Sequence, residues 1–394
     1  MNSIELKFGD VREKSITTPN QFVSHMLEHI AWRLGAQIKL VWNNTDWQAL
    51  GLALGAEIAK FSPNQKQSVA FGMIDDGGAE VLIDVNRKGL KLDSVKNTDL
   101  DWFLSARCEQ LSSGKPLIDL LQGLAQGIGA KIEIRICSYE DPHHTWESVF
   151  RGVGMALNKI YSGSAAIEFN RDVSLNSAVV NRQTAETRIK AKIDFNSKQR
   201  NKILVSVGNS VNVSGLDKLL RLMTNQARFR LGVDFEAKVL SSSHVVWEDI
   251  GLALGRALLD VFKLRMEKIG VNGAGSNLKS AEDLKFRPVT IGLSVEGRKF
   301  FKIVPVSIDY QIIRKKLLLG QNVFGNLRSE DLDDFLDGLC GGMGCSLIII
   351  VKKLTSPEEF WKAVFTALGQ AIKEAFLPNL YRKGVPPGVK ANLS

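Results

Sequence analysis

The residues with the clearest potential for chemistry are two adjacent histidines and a glutamate within the stretch 141–147, Asp-Pro-His-His-Thr-Trp-Glu. His143 and Glu147 are four residues apart, and His144 and Glu147 are three apart. On a helix, all three side chains would project from one turn. Imidazole nitrogen combined with carboxylate oxygen suits Mn, Fe or Zn. The spacing therefore predicts a transition-metal site. The alternative is a helix N-terminus with polar residues in its first turn.

The chain contains only five histidines, and the other three fall in related places. His25 and His29 lie in an earlier apolar helix pattern, where His25 is predicted to be a ligand and His29 a structural residue or one that orients a ligand. His244 and Glu248 are four residues apart at the start of a later helix, and they form a further predicted ligand pair. For His25 the alternative is an imidazole satisfied between packed helices. For His244 and Glu248 it is an amphipathic surface pair.

A four-fold repeat positions these residues. Each copy reads as an apolar helix that ends near a glycine, a β-branched run typical of a strand, and a second helix with Trp followed eight residues later by Gly. The glycines predicted to end the first helices in the left-handed conformation are Gly35, Gly129, Gly232 and Gly344. The tryptophans predicted to anchor the core are Trp47, Trp146, Trp247 and Trp361.

Strand-like segments precede the later helix pairs, so each copy is predicted to be a small sheet with two helices on one face. The expected fold class is α+β, built from four strand-rich βαβα-type half-domains. The predicted half-domains are residues 1–64, 65–163, 164–264 and 265–380. The first pair forms one domain (1–163) and the second pair another (164–380), followed by a basic tail (381–394). Because the helix-bearing faces need cover, the units should pair.

Bulk properties narrow the class of protein. A length of 394 residues suits two domains, and 44% hydrophobic with 24% charged residues is ordinary for a globular protein. A net charge of +9 favours an anionic partner, either a phosphorylated small molecule or nucleic acid. The four cysteines lack CxxC spacing, and Cys340 and Cys345 fall in what reads as an apolar, Gly-rich helix end, which predicts buried free thiols there and a reducing compartment. No signal-peptide pattern or membrane-length apolar run is evident, so a cytoplasmic protein without membrane contact is expected.

With its motifs in this order, the chain resembles imidazoleglycerol-phosphate dehydratase, the manganese enzyme family of histidine biosynthesis. Residues 24–29 (SHMLEH) are similar to the family's HML helix, and residues 143–147 form an intact HHxxE. Residues 182–187 (RQTAET) resemble its RxTxET strand, and residues 296–300 (EGRKF) its SGRPY segment. Residues 384–390 are a weaker match to its C-terminal PSTKG. The resemblance spans nearly the whole chain as two family-length copies in tandem.

The resemblance implies a fold like domain 2 of ribosomal protein S5, bound Mn²⁺, and a homo-oligomer built on trimers. His25 and Glu186 would be catalytic, whereas Arg298 and Lys390 would bind the substrate phosphate. The implied metal ligands are His25, His143, His144, Glu147, His244 and Glu248. Without these roles, Glu186 is an exposed strand residue, and Arg298 and Lys390 belong to a solvated basic surface.

Only the second copy keeps a complete HHxxE. At the same three positions the other copies have Asn44, Thr45 and Gln48, then His244, Val245 and Glu248, then Glu358, Glu359 and Lys362. The complementary losses suggest one site shared by the tandem copies, in which His144 and His244 act on the same metal.

Two classes of function follow from the resemblance and its departures. The first is a lyase that removes water from a phosphorylated imidazole diol by metal and acid–base chemistry. The second is a non-catalytic paralogue that serves as a scaffold or binds phosphorylated ligands or RNA. The chain lacks a Gly-rich phosphate loop and an aromatic-rich basic strand, so nucleic acid is the less expected partner. Metal content would separate the two classes.

Overall fold

The fold is taken from a computed structural model that describes residues 2–95, 99–138, 140–162, 175–197, 200–207, 214–237, 244–325, 327–388, 391 and 393. It is a mixed α+β structure with several small mixed sheets. The chain divides into two compact units. Unit 1 comprises Met1–Ile167, Leu278–Arg287 and Leu380–Val389. Unit 2 comprises Glu168–Asn277, Pro288–Asn379 and Lys390–Ser394.

Unit 1 contains two sheets and two main pairs of helices. The first sheet has the order β1-β3-β2, and the second β4-β5-β7-β6. The strands are β1 (Ser3–Phe8), β2 (Lys14–Thr17), β3 (Ala36–Val41), β4 (Gln67–Ile74), β5 (Gly77–Asp84), β6 (Gly89–Ser94) and β7 (Lys131–Ser138). The helices are α1 (Gln21–Leu34), α2 (Trp47–Ala59), α3 (Leu100–Ser105), α4 (Lys115–Ile128), α5 (Pro142–Tyr161) and the later α8 (Ala281–Phe286).

Unit 2 has the same kinds of element. Its four-stranded sheets have the orders β10-β11-β9-β8 and β12-β13-β17-β14, and β15 and β16 form a separate hairpin. The strands are β8 (Ser177–Gln183), β9 (Thr187–Asp194), β10 (Lys202–Val207), β11 (Arg230–Ala237), β12 (Ala274–Ser276), β13 (Val289–Val295), β14 (Phe300–Pro305), β15 (Asn322–Val323), β16 (Leu327–Arg328) and β17 (Cys345–Val351). The helices are α6 (Ser214–Ala227), α7 (His244–Ile269), α9 (Tyr310–Ile313), α10 (Ser329–Met343) and α11 (Pro357–Ala375).

The helix that carries the HHxxE motif begins where its sequence dictates. The side chain of Asp141 accepts a hydrogen bond from the backbone N–H of His143 and so caps α5. Pro142 occupies the first turn, where its missing N–H costs nothing. The N-terminus of α1 is capped in a similar way by Asn20, which accepts from the N–H of Val23. The two caps fix the first turns of α1 and α5, which carry His25 and His143.

The predicted helix-ending glycines are confirmed at three positions. Gly35, Gly129 and Gly344 have φ values of 78°, 74° and 59° and directly follow α1, α4 and α10. The prediction for Gly232 is wrong. The helix α6 already ends at Ala227, and Arg228 takes the left-handed conformation with a φ of 62°. Residues Arg230–Ala237 alternate in burial as a strand does, and Gly232 lies inside this strand, β11.

The predicted core anchors and free thiols are confirmed. The tryptophans of the four repeats are buried, at 7%, 0%, 2% and 0% exposure for Trp47, Trp146, Trp247 and Trp361. All four cysteines are buried and none forms a disulfide. In the part of the chain that the structure describes, no helix is long and apolar enough to cross a bilayer.

Glycines set how closely the helices approach each other. A Cβ added at Gly51 in α2 would lie 2.0 Å from the carbonyl oxygen of Leu120 in α4. In unit 2, a Cβ at Gly338 in α10 would lie 2.3 Å from the carbonyl oxygen of Glu248 in α7. These helices therefore pack backbone to backbone. A larger side chain at either glycine would therefore push the two helices apart.

Candidate metal centre

Two helices of unit 1 bring four chemically active side chains together. His25 and His29 are one turn apart on α1, and His143 and Glu147 are one turn apart on α5. Their shared focus is one carboxylate oxygen, Oε1 of Glu147. The Nε2 atoms of His25, His143 and His29 lie 2.7, 3.0 and 3.3 Å from it. The Nε2 atoms of His25 and His29 are themselves 3.3 Å apart.

Two of these imidazole rings, those of His25 and His143, contact a second carboxylate through the nitrogen that faces away from Glu147. Nδ1 of His25 lies 3.2 Å from Oε2 of Glu28, and Nδ1 of His143 lies 2.7 Å from Oε1 of Glu109. When Nδ1–H donates to these carboxylates, Nε2 of a neutral ring carries a lone pair that faces the cluster. Such outer carboxylates orient metal-binding histidines and raise their basicity.

The electrostatics of the cluster favour a neutral imidazole beside an ionised carboxylate. Burial opposes ionisation of Glu147, but hydrogen bonds from His143, His25 and His29 outweigh it and hold the pKa of Glu147 well below its usual range. Burial, reinforced by the nearby positive charge of Arg151, lowers the pKa of His29 to about 3. His29 is therefore neutral at physiological pH, so one of its ring nitrogens carries a lone pair.

The donor set fits a divalent transition metal. His25, His29 and Glu147 offer ligand atoms that all lie within 4.8 Å of one another, and two of the three residues are buried. In the tautomer with the proton on Nδ1, each Nε2 presents a lone pair beside the carboxylate oxygen, and a bound cation would stabilise that arrangement. Ligands bonded at about 2.1 Å to one ion lie about 3 Å apart. The separations of 2.7–3.3 Å are of that size.

His144 faces a different set of groups. Its Nδ1 lies 2.6 Å from Oδ1 of Asp76, and its Nε2 lies 3.5 Å from Oδ2 of Asp75. The hydrogen bond to Asp76 raises the pKa of His144 despite its partial burial. The other oxygen of Asp76 accepts hydrogen bonds from the backbone N–H groups of Glu140 and Asp141. The structure therefore joins His143 and Glu147 to the α1 histidines and pairs His144 with the β4–β5 turn.

The RxTxET segment is fixed to a neighbouring helix. Arg182 donates to Oδ1 of Asp249 at 2.7 Å, and Thr187 donates to Oδ2 of the same side chain at 2.9 Å. Glu186 lies between them in the exposed β8–β9 turn. Arg298 is exposed in the turn between β13 and β14. Lys390 lies outside the described residues.

His244 and Glu248 lie on the first turns of α7 in unit 2 and are both exposed. They face the acidic helix α10. Burial and neighbouring carboxylates, Glu248 among them, raise the pKa of Asp334, while the facing His244 opposes the shift. Carboxylates therefore outnumber cationic side chains around Asp334.

We expect Asp333→Asn to stabilise the protein at pH 7. Burial and the charges of Asp334, Asp337 and Glu330 raise the pKa of Asp333 to about 6 from its usual 3.8. A carboxyl group with a raised pKa favours folding when protonated, so its contribution is full below pH 3.8 and is lost as the pH rises through about 6. Asparagine removes that penalty, and we expect a gain of about 1–2 kcal/mol at pH 7.

Urea unfolding of this variant at several pH values checks the prediction. The gain should disappear below about pH 4. Asp337→Asn should give a smaller gain, because it removes one of the charges that act on Asp333 but also breaks the ion pair of Asp337 with Lys299. A gain that does not change between pH 4 and pH 7 would contradict the electrostatic explanation.

Sequence reasoning missed several residues of the cluster. The sequence predicts a structural or ligand-orienting role for His29, whose Nε2 lies 3.3 Å from Oε1 of Glu147. Glu28 follows His25 by three residues on α1, so helical spacing could have identified it. Glu109 lies in the loop before α4 with a φ of 50°. No local pattern predicts that this loop reaches His143.

The fold and the cluster define an α+β protein with a histidine–carboxylate centre. Residues 212–372 match the family model of imidazoleglycerol-phosphate dehydratase. The dehydratase of Leuconostoc mesenteroides subsp. mesenteroides is 24% identical over 209 residues, which are 53% of this chain and 95% of the relative. That of Streptococcus mutans is 25% identical over 214 residues, 54% of this chain and 96% of the relative.

The chain is therefore similar to imidazoleglycerol-phosphate dehydratases over about half of its length. A crystal structure of the enzyme from Pyrococcus furiosus in complex with (S)-C348 shares 25% sequence identity and has a TM-score of 0.34. The aligned region covers 43% of this chain and 98% of that one. The family match at 212–372 does not include the histidine cluster, whose residues lie between positions 25 and 147.

Proposed function

We propose that the chain is an imidazoleglycerol-phosphate dehydratase-like lyase that removes water from a phosphorylated imidazole diol. The observation that carries this proposal is the convergence of three imidazole Nε2 atoms on one oxygen of Glu147. His25, His29, His143 and Glu147 would hold the metal, with Mn²⁺ the ion that the family resemblance favours. When bound, such an ion acts as a Lewis acid and supplies charge stabilisation in the dehydration.

The chain's own residues would prepare the site for this chemistry. Glu28 and Glu109 orient His25 and His143 through their Nδ1 atoms. Burial excludes water from His29 and Glu147, which are only 1% and 0% exposed, and strengthens electrostatic interactions there. His25 and His143 have side chains that are each 20% exposed, so they form the open side of the cluster that a substrate could reach.

Metal analysis combined with a dehydratase assay tests the proposal. The purified chain is loaded with Mn²⁺, passed through gel filtration and analysed for metal, then assayed with imidazoleglycerol phosphate. We expect retained metal and turnover that a chelator abolishes. Retained metal without turnover would contradict the lyase, and no retained metal would contradict the centre itself.

The wider arrangement is also proposed by analogy with the family. We propose that the four sheet-and-helix-pair segments are copies of one S5 domain 2-like half-domain, and that the chain forms homo-oligomers built on trimers. Arg298 and Lys390 remain proposed phosphate ligands, and Glu186 a proposed catalytic residue. The shared site of His144 and His244 stays a prediction. Substituting each by Ala and measuring whether the losses of Mn²⁺ affinity are non-additive tests it.

A further inference from the structure

In unit 1, α1 packs against α5, and in unit 2, α6 packs against α11. Equivalent positions on these two helix pairs can therefore be compared. His25 lies ten residues before Gly35, the left-handed residue that ends α1. Lys218 lies ten residues before Arg228, the left-handed residue after α6. By the same comparison, Leu222 in α6 takes the position of His29 in α1.

The opposing helices are compared through their buried tryptophans. Glu147 follows Trp146 in α5, and Lys362 follows Trp361 in α11. Glu358 in α11 then takes the position of His143. In unit 2, lysines therefore stand where unit 1 has His25 and Glu147, the pair whose side-chain atoms are 2.7 Å apart.

The two lysines of unit 2 contact one aromatic ring. The Nζ atoms of Lys218 and Lys362 lie 5.0 and 5.2 Å from the ring centroid of Phe324. Both distances are within the range of a cation–π interaction. Phe324 belongs to the β15–β16 hairpin. It packs closely on α6, where a Cβ added at Gly215 would lie 3.1 Å from the Cβ of Phe324.

The backbone of the hairpin is in an unfavourable conformation at Phe324. Phe324 has a φ of 50°, a region that a bulky side chain rarely adopts. Such a conformation persists only when contacts around it hold it. Lys362 also forms an ion pair with Glu358 at a distance of 2.6 Å. Glu358, which takes the position of His143, is thus paired with a lysine.

We propose that the helix pair α6 and α11, at the positions that form the histidine cluster in unit 1, is a structural clamp and not a metal site, in which Lys218 and Lys362 hold the Phe324 hairpin. This inference rests on the proposed function, because it takes the cluster of unit 1 as the metal centre. Two ammonium groups repel a divalent cation, and Leu222 offers no ligand atom. The centre in unit 1 is then the only metal site that these paired helix positions form in the described parts of the chain.

Metal content of the full-length chain tests the first half of the inference. The variant His25→Ala/Glu147→Gln removes two ligands from unit 1 and leaves unit 2 intact. After loading with Mn²⁺ and gel filtration, we expect it to retain less than about one tenth of the wild-type metal. Retained metal that the further change Glu358→Gln removes would overturn the inference, because the α6–α11 pair would then hold it. Retained metal that Glu358→Gln leaves unchanged would lie elsewhere and agree with the inference.

Hydrogen exchange of the β15–β16 hairpin tests the clamp without any metal. We expect Lys218→Met/Lys362→Met and Phe324→Ala each to raise amide exchange of the hairpin peptide at least about fivefold. Lys115→Met is the matched control, since Lys115 forms an exposed i,i+4 pair with Asp119. Unchanged exchange in the clamp variants would overturn the clamp. If the wild-type chain binds no metal, the proposed function fails, while the exchange result still decides the clamp.

Discussion

Glu147→Gln should lower the affinity of the chain for Mn²⁺ by at least about a hundredfold. Loss of an outer partner of a metal ligand typically costs 10–100-fold, and a charged ligand at the centre contributes more. Oε1 of Glu147 is the common neighbour of His25, His29 and His143. Glutamine keeps the shape but removes the negative charge that balances a divalent cation. Isothermal titration of the metal-free chain with Mn²⁺ measures the change.

Glu109→Gln provides the matched control for this experiment. Glu109 contacts Nδ1 of His143 from outside the cluster, and its side chain is 51% exposed. We expect a loss of about tenfold, because the ring loses only its orienting partner. If Glu147→Gln binds Mn²⁺ as tightly as Glu109→Gln, Glu147 is a structural hydrogen-bond acceptor and the centre does not hold metal through it.

The sequence identified the helices of this centre better than the direction of each side chain. The Asp141 cap and Pro142 fix the start of α5, so its existence follows from local chemistry. Adjacent helical residues point about 100° apart. His143 and His144 therefore face different neighbours, and only the i,i+4 partner of Glu147 joins the cluster.

Long-range partners were beyond sequence reasoning for a different reason. Glu109 reaches His143 from a loop, and Asp76 reaches His144 across 68 residues of sequence. These contacts depend on how the sheets place their connecting turns, which no local periodicity encodes. Phe324 is a similar case, because its position between two lysines requires a left-handed backbone that the residue type disfavours.

Gly72→Ala should destabilise unit 1 by about 3 kcal/mol, the upper end of the usual cost of overpacking. Gly72 lies in β4 beneath the helix that carries His143 and Glu147. A Cβ at this position would lie 2.0 Å from the carbonyl oxygen of Ser148 and 2.3 Å from the backbone nitrogen of Gly152. These backbone atoms of α5 cannot rotate away as a side chain would. The helix must therefore move as a body, by more than an ångström, to reach ordinary van der Waals contact.

Gly232→Ala separates this steric effect from the general effect of removing a strand glycine. Gly232 lies inside β11, and the atom nearest to an added Cβ is 3.7 Å away. We expect a change within about 1 kcal/mol in either direction, since the unfolded chain also loses freedom. Urea unfolding monitored by circular dichroism measures both variants, with separate transitions fitted where they occur.

Because Gly72→Ala displaces α5 as a whole, it should also weaken Mn²⁺ binding. His143 and Glu147 move with the helix, whereas His25 and His29 stay on α1. The spacing of 2.7 Å between Nε2 of His25 and Oε1 of Glu147 should therefore change, and Mn²⁺ affinity should fall along with stability. A variant that is destabilised but binds Mn²⁺ like the wild type would show that the metal is held without the register between α1 and α5.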